Sequence, residues 1–552
     1  MRRRLWLSIV MLVTGTGLLA GAGFAGNDAG QLRKGGIFRV GTTGASVQVD
    51  PQLAYITTAW WLEYATAAKL YNYPDRSGPS GTKLIPEVAS TFTVSNGGKT
   101  YTFTIRKGFK FSDGSAVTAN NFKYAINRVA NHELASPGAV FIVDPNGSNI
   151  VGAKACNDSS SCTNVSGATV KGNKLKIRLT KADGTFMSKI TMPFFQATST
   201  KMPLKTEVVN IANIRSIPAA GPYAYSRNDV NTLTSIRQNP FWKAGPGKLR
   251  PRNLTGLDIQ WNLNEQTAFN QTKNNELDEG PLPAAEVQGI ANQYGVNKTR
   301  FWTKAVNCTG YLPMNIANDL FKGNANLRKA INYAVDRRAY SAQAGAYAGE
   351  PWSHLLNPTV PGWRNEQPYP VKRPNLAKAR RLAAGHFRDG KITVYYRSSG
   401  TINPAQAQIV RQDLINLGFQ AGNITMKGFS GGNIYDAMGV KGNDADIGVS
   451  MGWCSDYPDA PDAAQSFSAA LYYSYMNSPK WQRRIDAAAK LAGQKRNEAF
   501  GQLDLDIMRQ FAPVVVERLY NNRYFFSARV NPKSLVYQGI YSDWSIPALA
   551  LK

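Results

Sequence analysis

The sequence predicts an α/β or α+β fold divided into at least two lobes. The chain has 552 residues, more than a single ordinary hydrophobic core accommodates. Hydrophobic residues make up 43% of the chain and aromatic residues 11%, which is typical of a folded globular protein. Some segments show the two-residue apolar period of strands and others the helical period, and beyond residue 327 the two kinds alternate. Such a mixture indicates helices and sheets within the same lobes.

The first half of the chain is interpreted mainly as strands and loops. A strand is expected at residues 37–40 and a helix at about 59–70. Residues 101–106 alternate apolar with polar side chains, which predicts a strand buried on one face. Thr118 can cap the next helix. Residues 132–172 are expected to form a loop that holds the first cysteine pair.

A strand is expected at residues 175–179, and short strands and turns are expected to continue to about residue 303. Beyond residue 327 the chain is expected to alternate helices with strands. The later elements are expected at residues 327–335 (helix), 392–396 (strand), 409–417 (helix), 445–450 (strand), 500–511 (helix) and 513–519 (strand).

The N-terminus has the composition of an export signal. Three arginines at residues 2–4 precede an apolar stretch over residues 5–22, and small residues fit cleavage after Ala22 or after Ala25. We therefore expect residues 1–25 to be a signal peptide. The alternative is an uncleaved membrane anchor, although the apolar run is shorter than the roughly 20 residues that a span needs. The mature chain is expected to be soluble, in the periplasm or at the extracellular face of the cell membrane.

The chain is strongly basic, but the pattern does not indicate nucleic-acid binding. The formal charge is +28, and +25 without the three signal arginines (28 − 3). Lysines and arginines are spread along the chain, and the densest stretch, residues 372–388, also carries apolar residues at helical spacing. We interpret it as a solvated helix face, with attraction to an anionic envelope or partner as the alternative. No zinc-finger spacing, RNA-binding motif or leucine zipper is present in the sequence.

Four cysteines in an exported chain suggest two disulfides. Cys156 and Cys162 lie in the polar run CNDSSSC and are expected to close a small loop, which leaves Cys308 with Cys454. Four free thiols are the alternative. A metal site is less favoured, because the spacing matches no zinc pattern and the chain has three histidines. Since Cys156 is the first cysteine, a lipid-modified N-terminal cysteine is not expected.

One motif typical of enzymes occurs, at Gly448-Val449-Ser450-Met451-Gly452. This matches the G-x-S-x-G nucleophile elbow, which needs a helix directly after the serine and a histidine later in the chain. Pro458 and Pro461 argue against such a helix, and all three histidines precede Ser450. No P-loop or H-E-x-x-H motif is present in the sequence, so no cofactor or catalytic metal is expected. We therefore expect a binding protein, with a secreted hydrolase using Ser450 as the least favoured alternative.

The stretch from residue 101 to residue 125, YTFTIRKGFKFSDGSAVTANNFKYA, resembles the family 5 extracellular solute-binding proteins, the peptide/nickel-binding class. Other blocks are similar to the family's pattern and follow in its order: Asp50-Pro51, Ile85-Pro86, Gly221-Pro222-Tyr223, RQNPFW at 237–242, NLRKAINYAVDR at 326–337 and WCSDYP at 453–458. Two positions depart from the family's pattern: Asn121 stands where the family has Asp, and Ala116 where it has Pro.

The resemblance implies a two-lobed clamp of the periplasmic-binding-protein type. Lobe I would comprise residues 35–305 and 512–552, with an extra subdomain at about 80–215, and lobe II would comprise residues 306–511. A monomer would capture peptides between the lobes and deliver them to an ABC-type membrane permease. The same fold binding an oligosaccharide, an opine or a metal chelate is the alternative.

The resemblance also implies a binding site around Asp456. In oligopeptide-binding relatives, the aspartate at this position pairs with the free amino group of the peptide. A Cys just before it is joined to a Cys at the start of lobe II, which matches Cys454 and Cys308. A buried carboxylate needs a cation or several hydrogen-bond donors, and a peptide ammonium supplies both. The alternative for Asp456 is a turn residue that caps Tyr457.

Backbone groups are expected to bind the rest of the peptide. Gly452 to Cys454 would be a strand end whose free N–H and C=O groups pair with an extended ligand. Trp453 would form a wall of the first side-chain pocket, with core packing as the alternative. By similarity, Tyr55, Thr57 and Thr58 would supply the facing backbone from lobe I.

Overall fold

The largest sheet among the described residues has eight strands, which come from both ends and the middle of the chain. The computed structural model describes residues 32–552 except 144–148, 207–216, 243–249, 431, 460–461, 463–471 and 492. The expected signal peptide, residues 1–25, lies outside the described residues. In spatial order the strands of this sheet are β16 (Met451–Cys454), β12 (Phe301–Pro313), β17 (Val514–Phe526), β11 (Glu279–Gly280), β1 (Ile37–Gly41), β10 (Gly256–Gln260), β9 (Leu233–Gln238) and β8 (Tyr223–Asp229).

Smaller sheets flank the central one. An antiparallel sheet has the order β4 (Ala89–Ser95), β5 (Thr100–Ile105), β7 (Lys174–Arg178) and β6 (Ala168–Lys171). A parallel sheet has the order β14 (Ile424–Phe429), β13 (Ile392–Arg397) and β15 (Ile447–Val449). Two short ribbons pair β2 (Tyr71–Asn72) with β3 (Ile85–Pro86), and β18 (Tyr537–Gln538) with β19 (Asp543–Trp544).

Helices pack against the central sheet and against the smaller sheets. Those of the described residues are α1 (Thr57–Thr66), α2 (Ala119–Ala130), α3 (Val140–Val143), α4 (Ala153–Asn157), α5 (Phe186–Lys189), α6 (Glu265–Lys273), α7 (Val287–Tyr294), α8 (Ala325–Ala334), α9 (Arg337–Ala342), α10 (Leu376–Ala383), α11 (Ile402–Leu417), α12 (Asn433–Gly439), α13 (Pro479–Ala489) and α14 (Gly493–Gln510). Short 3₁₀ turns lie at Gly78–Thr82, Pro137–Ala139, Pro193–Phe195, Ala421–Asn423 and Pro532–Ser534.

Two long strands, β12 and β17, connect two groups of hydrophobic cores. At one end Tyr524 and Phe526 pack with residues of β1, α1 and β10. At the other end Val514 and Val516 pack with residues of α12 and α14. The pairing of β12 with β17 changes register between Ala305 and Thr309. The fold is therefore the expected two-lobed α/β clamp, in which two strands pass between separately packed bodies.

Most of the strongly periodic segments form the expected elements. The alternating segment at 101–106 becomes β5, whose inward side chains are buried and whose outward ones are half-buried. Thr118 caps α2, and the main-chain N–H of Thr118 donates to Oδ1 of Asn121 over 2.8 Å, which completes a capping box. Asn121 thus has a local helix-capping role, although the family pattern has an aspartate there.

Three expectations about element boundaries were wrong. The first helix ends at Thr66 rather than near residue 70. Its last carbonyls are satisfied from outside the helix, because the N–H of Gly221 donates to Thr66 O over 2.7 Å and Arg250 donates to Ala67 O over 2.7 Å. The expected loop at 132–172 contains α3, α4 and β6, each of four or five residues and too short to show a period. The last long strand continues past Leu519 to Phe526, through polar residues that break the apolar pattern.

Candidate functional site

A cavity of about 440 Å³ lies where the start of α1 faces the end of β16. Residues distant in sequence form its walls, in both halves of the clamp. The lining residues are Tyr55, Ile56, Thr57 and Trp60 around the start of α1; Gly452, Trp453, Cys454, Ser455 and Asp456 in and after β16; and Tyr435, Tyr473 and Ile540. A cleft between packed bodies is a common place for a ligand.

The structure brings together six of the seven ligand-binding residues expected from the sequence. Tyr55, Thr57, Gly452, Trp453, Cys454 and Asp456 line this cavity. Thr58 is not among the lining residues. Both threonines lie in the first turn of α1, so Thr57 presents a helix start to the cavity rather than an extended backbone.

Asp456 is a buried carboxyl group at the cavity wall. The side chain is 6% exposed, and the hydroxyl of Tyr55 donates to its Oδ2 over 3.2 Å. Burial raises the pKa of the Asp456 carboxyl to about 7, and the hydrogen bond from Tyr55 opposes part of that rise. No lysine or arginine of the described chain is among the influences on this pKa. A cation delivered by a ligand would therefore meet a carboxylate that has no cationic protein partner.

A second buried carboxyl, that of Asp462, holds the turn in which Asp456 lies. Oδ2 of Asp462 accepts hydrogen bonds from the main-chain N–H of Asp456 over 2.5 Å and of Tyr457 over 3.1 Å. Burial and the nearby charge of Asp456 raise the pKa of Asp462 well above its usual range. The acid that caps Tyr457 is thus Asp462, and the Asp456 side chain instead reaches Tyr55. A third acid, Asp459, forms an ion pair with Arg496.

The backbone edge of β16 is the second feature of the cavity. Cys454, Trp453 and Gly452 lie opposite Cys308, Thr309 and Gly310 of β12. Outward and inward main-chain groups alternate along a strand, and Ser455 N–H donates inward to Asn307 O over 3.0 Å. Gly452 and Cys454 therefore point their N–H and C=O groups away from β12, toward the cavity.

The outward main-chain groups of Gly452 are not free, contrary to the expectation from the sequence. Its N–H donates to the hydroxyl oxygen of Tyr435 over 3.1 Å, and the same hydroxyl donates to Gly452 O over 3.2 Å. The outward groups of Cys454 have no hydrogen-bond partner in the part of the chain that the structure describes. One residue of this edge thus remains open to a ligand backbone.

Aromatic rings form one side of the cavity. The Tyr55 ring lies 5.7 Å from Trp60, 5.6 Å from Phe194 and 6.5 Å from Trp453, measured between ring centroids. Trp60 is both core and wall, because it is 4% exposed and its Nε1 donates to Ala54 O over 2.8 Å. The buried Nε1–H of Trp453 has no acceptor among the described residues. An acceptor on a bound ligand could satisfy it.

Both disulfides expected from the sequence are formed. Cys308 and Cys454 face each other across β12 and β16, with their Cα atoms 3.9 Å apart. Cys156 and Cys162 close a six-residue separation with Cα atoms 4.8 Å apart. The first of these bridges joins the open edge residue, Cys454, to a strand that passes between the two bodies.

Asn307 is a positioning residue that sequence patterns did not reveal. Its Nδ2 donates to Ser455 O over 2.6 Å and to Ile540 O over 3.2 Å, and its main-chain N–H donates to the Ser542 hydroxyl over 3.1 Å. It thereby ties β12 to two segments of the cavity wall. Tyr435, Tyr473 and Ile540 were missed as well, because no local motif marks residues that meet only in three dimensions.

Ser450 does not have the surroundings of a nucleophile elbow. It lies between β15 and β16, is 7% exposed and has a φ of 62°, but a strand rather than a helix follows. Its hydroxyl donates to Gln406 Oε1 over 3.1 Å and lies 3.3 Å from the hydroxyl of Tyr340. One of the three histidines, His354, pairs with Asp504 and not with Ser450, with 2.7 Å between its Nδ1 and Oδ2 of Asp504.

The described residues contain no group of three or more His, Cys, Asp or Glu side chains arranged to hold a metal ion. Nor does any helix among them combine the length and the apolar character needed to cross a membrane.

The clamp and the cavity between its bodies define a solute-binding protein. The family described as "Bacterial extracellular solute-binding proteins, family 5 Middle" matches residues 83–473, more than half of the chain, and the chain belongs to that family. This confirms the resemblance found in the sequence.

Two curated relatives cover most of the chain. The "Dipeptide-binding protein DppE" of Bacillus subtilis (strain 168) is 23% identical over 462 residues, which are 79% of this chain and 79% of that protein. The "Dipeptide-binding protein" of Escherichia coli (strain K12) is 23% identical over 500 residues, which are 82% of this chain and 86% of that protein.

Solved structures show the same fold. The chain is similar to the "Clavulanic acid biosynthesis oligopeptide binding protein 2", with a TM-score of 0.81, 18% identity and coverage of 94% of this chain and 96% of that one. It is also similar to Haemophilus influenzae OppA in complex with RPPGFSPFR, with a TM-score of 0.70, 17% identity and coverage of 94% and 100%. At these identities the likeness establishes the fold of the clamp.

Proposed function

We propose that this protein captures peptides between its lobes and delivers them to an ABC-type permease. Family membership and the names of the relatives support this proposal. The observation that carries it is the pairing of two features in one cavity. The buried carboxyl of Asp456, which has no cationic partner among the described residues, lies two residues from the open main-chain groups of Cys454.

These two features complement the amino end of a peptide. The peptide ammonium would donate charge-assisted hydrogen bonds to Asp456, and the adjoining peptide unit would pair with the N–H and C=O of Cys454. Such contacts recognise backbone and leave side-chain identity to the aromatic wall. The indole N–H of Trp453 would then find an acceptor on the ligand.

We extend the proposal to the organisation of the whole protein. Lobe I would comprise residues 35–305 and 512–552, with a subdomain at about 80–215, and lobe II residues 306–511. Ligand binding would close the lobes about β12 and β17. The protein would act as a monomer without catalytic activity and without nucleic-acid binding. It would be exported by a signal at residues 1–25 and would work outside the cytoplasm, in the periplasm or at the outer face of the membrane.

The first prediction concerns the charge pair. N-acetylation of a short peptide, or the substitution Asp456→Asn, should each weaken binding by about 100-fold or more, because either change removes one partner of a desolvated ion pair. Isothermal titration calorimetry measures both effects. Asp486→Asn, which alters an exposed acid of α13, is the matched control and should leave affinity unchanged.

Equal affinity for free and acetylated peptides would show that Asp456 does not bind an ammonium. Tight binding of an uncharged oligosaccharide, unaffected by Asp456→Asn, would instead support the alternative in which the same fold carries a non-peptide solute.

A further inference from the structure

The edge of β16 offers a ligand fewer backbone groups than a strand end normally would. Two residues of β16, Gly452 and Cys454, point main-chain groups toward the cavity, and Asp456 follows the strand in a turn. The N–H of Asp456 already donates to Asp462 over 2.5 Å. Gly452 is engaged at both its N–H and its C=O by Tyr435. Cys454 therefore lies between Gly452, whose N–H and C=O are both engaged, and Asp456, whose N–H is engaged.

The hydroxyl of Tyr435 has no hydrogen-bonding capacity left for a ligand. A phenolic hydroxyl has one donor and two acceptor positions. The donor goes to Gly452 O over 3.2 Å. The two acceptor positions take Gly452 N–H over 3.1 Å and Nη2 of Arg397 over 3.4 Å. All three are satisfied by the protein itself.

Tyr435 is also held firmly in place. It lies on α12, which is anchored by Ile434 and Met438, both fully buried. The guanidinium of Arg397 lies 5.6 Å from the centre of its ring, and the ring of Tyr473 lies 5.6 Å away on the cavity wall. Moving the hydroxyl away from Gly452 would disturb several contacts at once.

We infer that Tyr435 is a specificity-determining residue that makes this site favour short peptides, because its hydroxyl occupies the backbone groups that the third residue of a longer ligand would need. This inference rests on the proposed binding of a peptide ammonium at Asp456. From that anchor the ligand backbone runs along the edge, and groups that face a strand recur every second residue. The first ligand residue then pairs at Cys454, and the third reaches Gly452. Because Tyr435 keeps the N–H and C=O of Gly452 engaged, a longer ligand leaves the backbone groups of its third residue unpaired, which costs affinity.

The test compares peptide lengths in the wild-type protein and in Tyr435→Phe, which removes the hydroxyl and keeps the ring. Unblocked di-, tri- and penta-alanine are titrated by calorimetry. In Tyr435→Phe the affinity for penta-alanine should rise about 10-fold, because one or two backbone hydrogen bonds become available, whereas the affinity for di-alanine should change less than about 2-fold. Tyr472→Phe is the matched control. It removes a hydroxyl from an exposed ring that is not among the residues lining the cavity, so it should not change the ratio between the two affinities.

An ester-substituted ligand probes the same contact from the other side. An ester oxygen in place of the amide N–H of the third residue removes the group that would donate to Gly452 O. The wild-type protein should bind this ester at least as tightly as the normal pentapeptide, because the missing N–H has no acceptor at Gly452, whereas Tyr435→Phe should bind the ester about 10-fold more weakly than the normal pentapeptide. A 10-fold loss with the ester in the wild-type protein would show that ligands already use Gly452, which would overturn the inference.

The outcomes separate this inference from the proposed function. If peptides bind in an Asp456-dependent way but the ratio of penta- to di-alanine affinity is the same in wild type and Tyr435→Phe, the role of Tyr435 is wrong and peptide capture stands. If none of these peptides binds the wild-type protein, both proposals fail together.

Discussion

Three aspartates that follow β16 have different hydrogen-bonding partners, which residue type alone does not indicate. Asp456 and Asp462 are both buried acids of the same turn, yet Asp462 accepts two main-chain N–H groups and Asp456 meets a hydroxyl. Asp459, in the same segment, is paired with Arg496. Of the three, Asp456 is the acid that meets neither backbone donors nor a cation among the residues that the structure describes. It is therefore the acid that a cationic ligand would stabilise.

Affinity for an unblocked peptide should depend on pH because of this carboxyl. With the pKa of Asp456 raised to about 7, a proton competes with the ligand ammonium at lower pH. Affinity should fall as the pH drops below 7, approaching about 10-fold per pH unit, and should fall again above about pH 8 as the peptide amino group loses its proton. Calorimetry between pH 5.5 and pH 9 gives this profile. In Asp456→Asn the acid limb should disappear, and a constant wild-type affinity from pH 5.5 to pH 7 would contradict the assignment.

At the scale of single elements, local pattern and tertiary contacts decide different things. The period of apolar residues was sufficient for β5 and for α2 with its capping box. Where α1 ends was decided by Arg250 and Gly221, which lie more than 150 positions away and satisfy its last carbonyls. The strand β17 continues through polar residues because β12 pairs with it there. The strongly periodic elements thus followed from the sequence, whereas the short elements within residues 132–172 and several element boundaries did not.

The two disulfides should stabilise these elements unequally. Cys308 and Cys454 are 146 positions apart, and Cys156 and Cys162 are 6 apart. By chain-entropy reasoning, replacing the first pair with alanine should cost about 5 kcal/mol of unfolding free energy and replacing the second about 2 kcal/mol. Urea unfolding of the two double variants, each against the wild type, makes the comparison. Equal losses would mean that loop size is not what sets the contribution of these bridges.

At the scale of the whole molecule, two strands connect bodies that are packed separately. The register of β12 against β17 shifts near their middle, between Ala305 and Thr309. Asn307, within this irregular stretch, bonds to the main chain of both Ser455 and Ile540 in the cavity wall. Movement of one body against the other would therefore change the shape of the cavity directly.

Peptide binding should make the molecule more compact. Lobe closure would lower the radius of gyration, which small-angle X-ray scattering measures with and without an unblocked peptide. An N-acetylated peptide at the same concentration, or the Asp456→Asn protein with the unblocked peptide, should leave the radius of gyration unchanged. A wild-type radius that stays the same at saturating peptide would show that the ligand binds without closure.

The sequence by itself determined the fold class, the family and both disulfide pairings, and it predicted a binding role for Asp456. These depend on local period, on counting four cysteines and on motifs of adjacent residues, all of which a linear chain displays. It also indicated six residues that line the cavity.

Only the tertiary structure decided how those residues are used. It placed Thr58 away from the cavity wall, gave the turn-capping task to Asp462, and brought Tyr435 onto Gly452. Tyr435 and Gly452 are 17 positions apart, and the first lies on the helix α12 and the second on the strand β16. The physical reason is that a backbone group is free for a ligand only if no side chain of the folded protein hydrogen-bonds to it. That side chain can be distant in sequence, so the sequence does not show whether it is there.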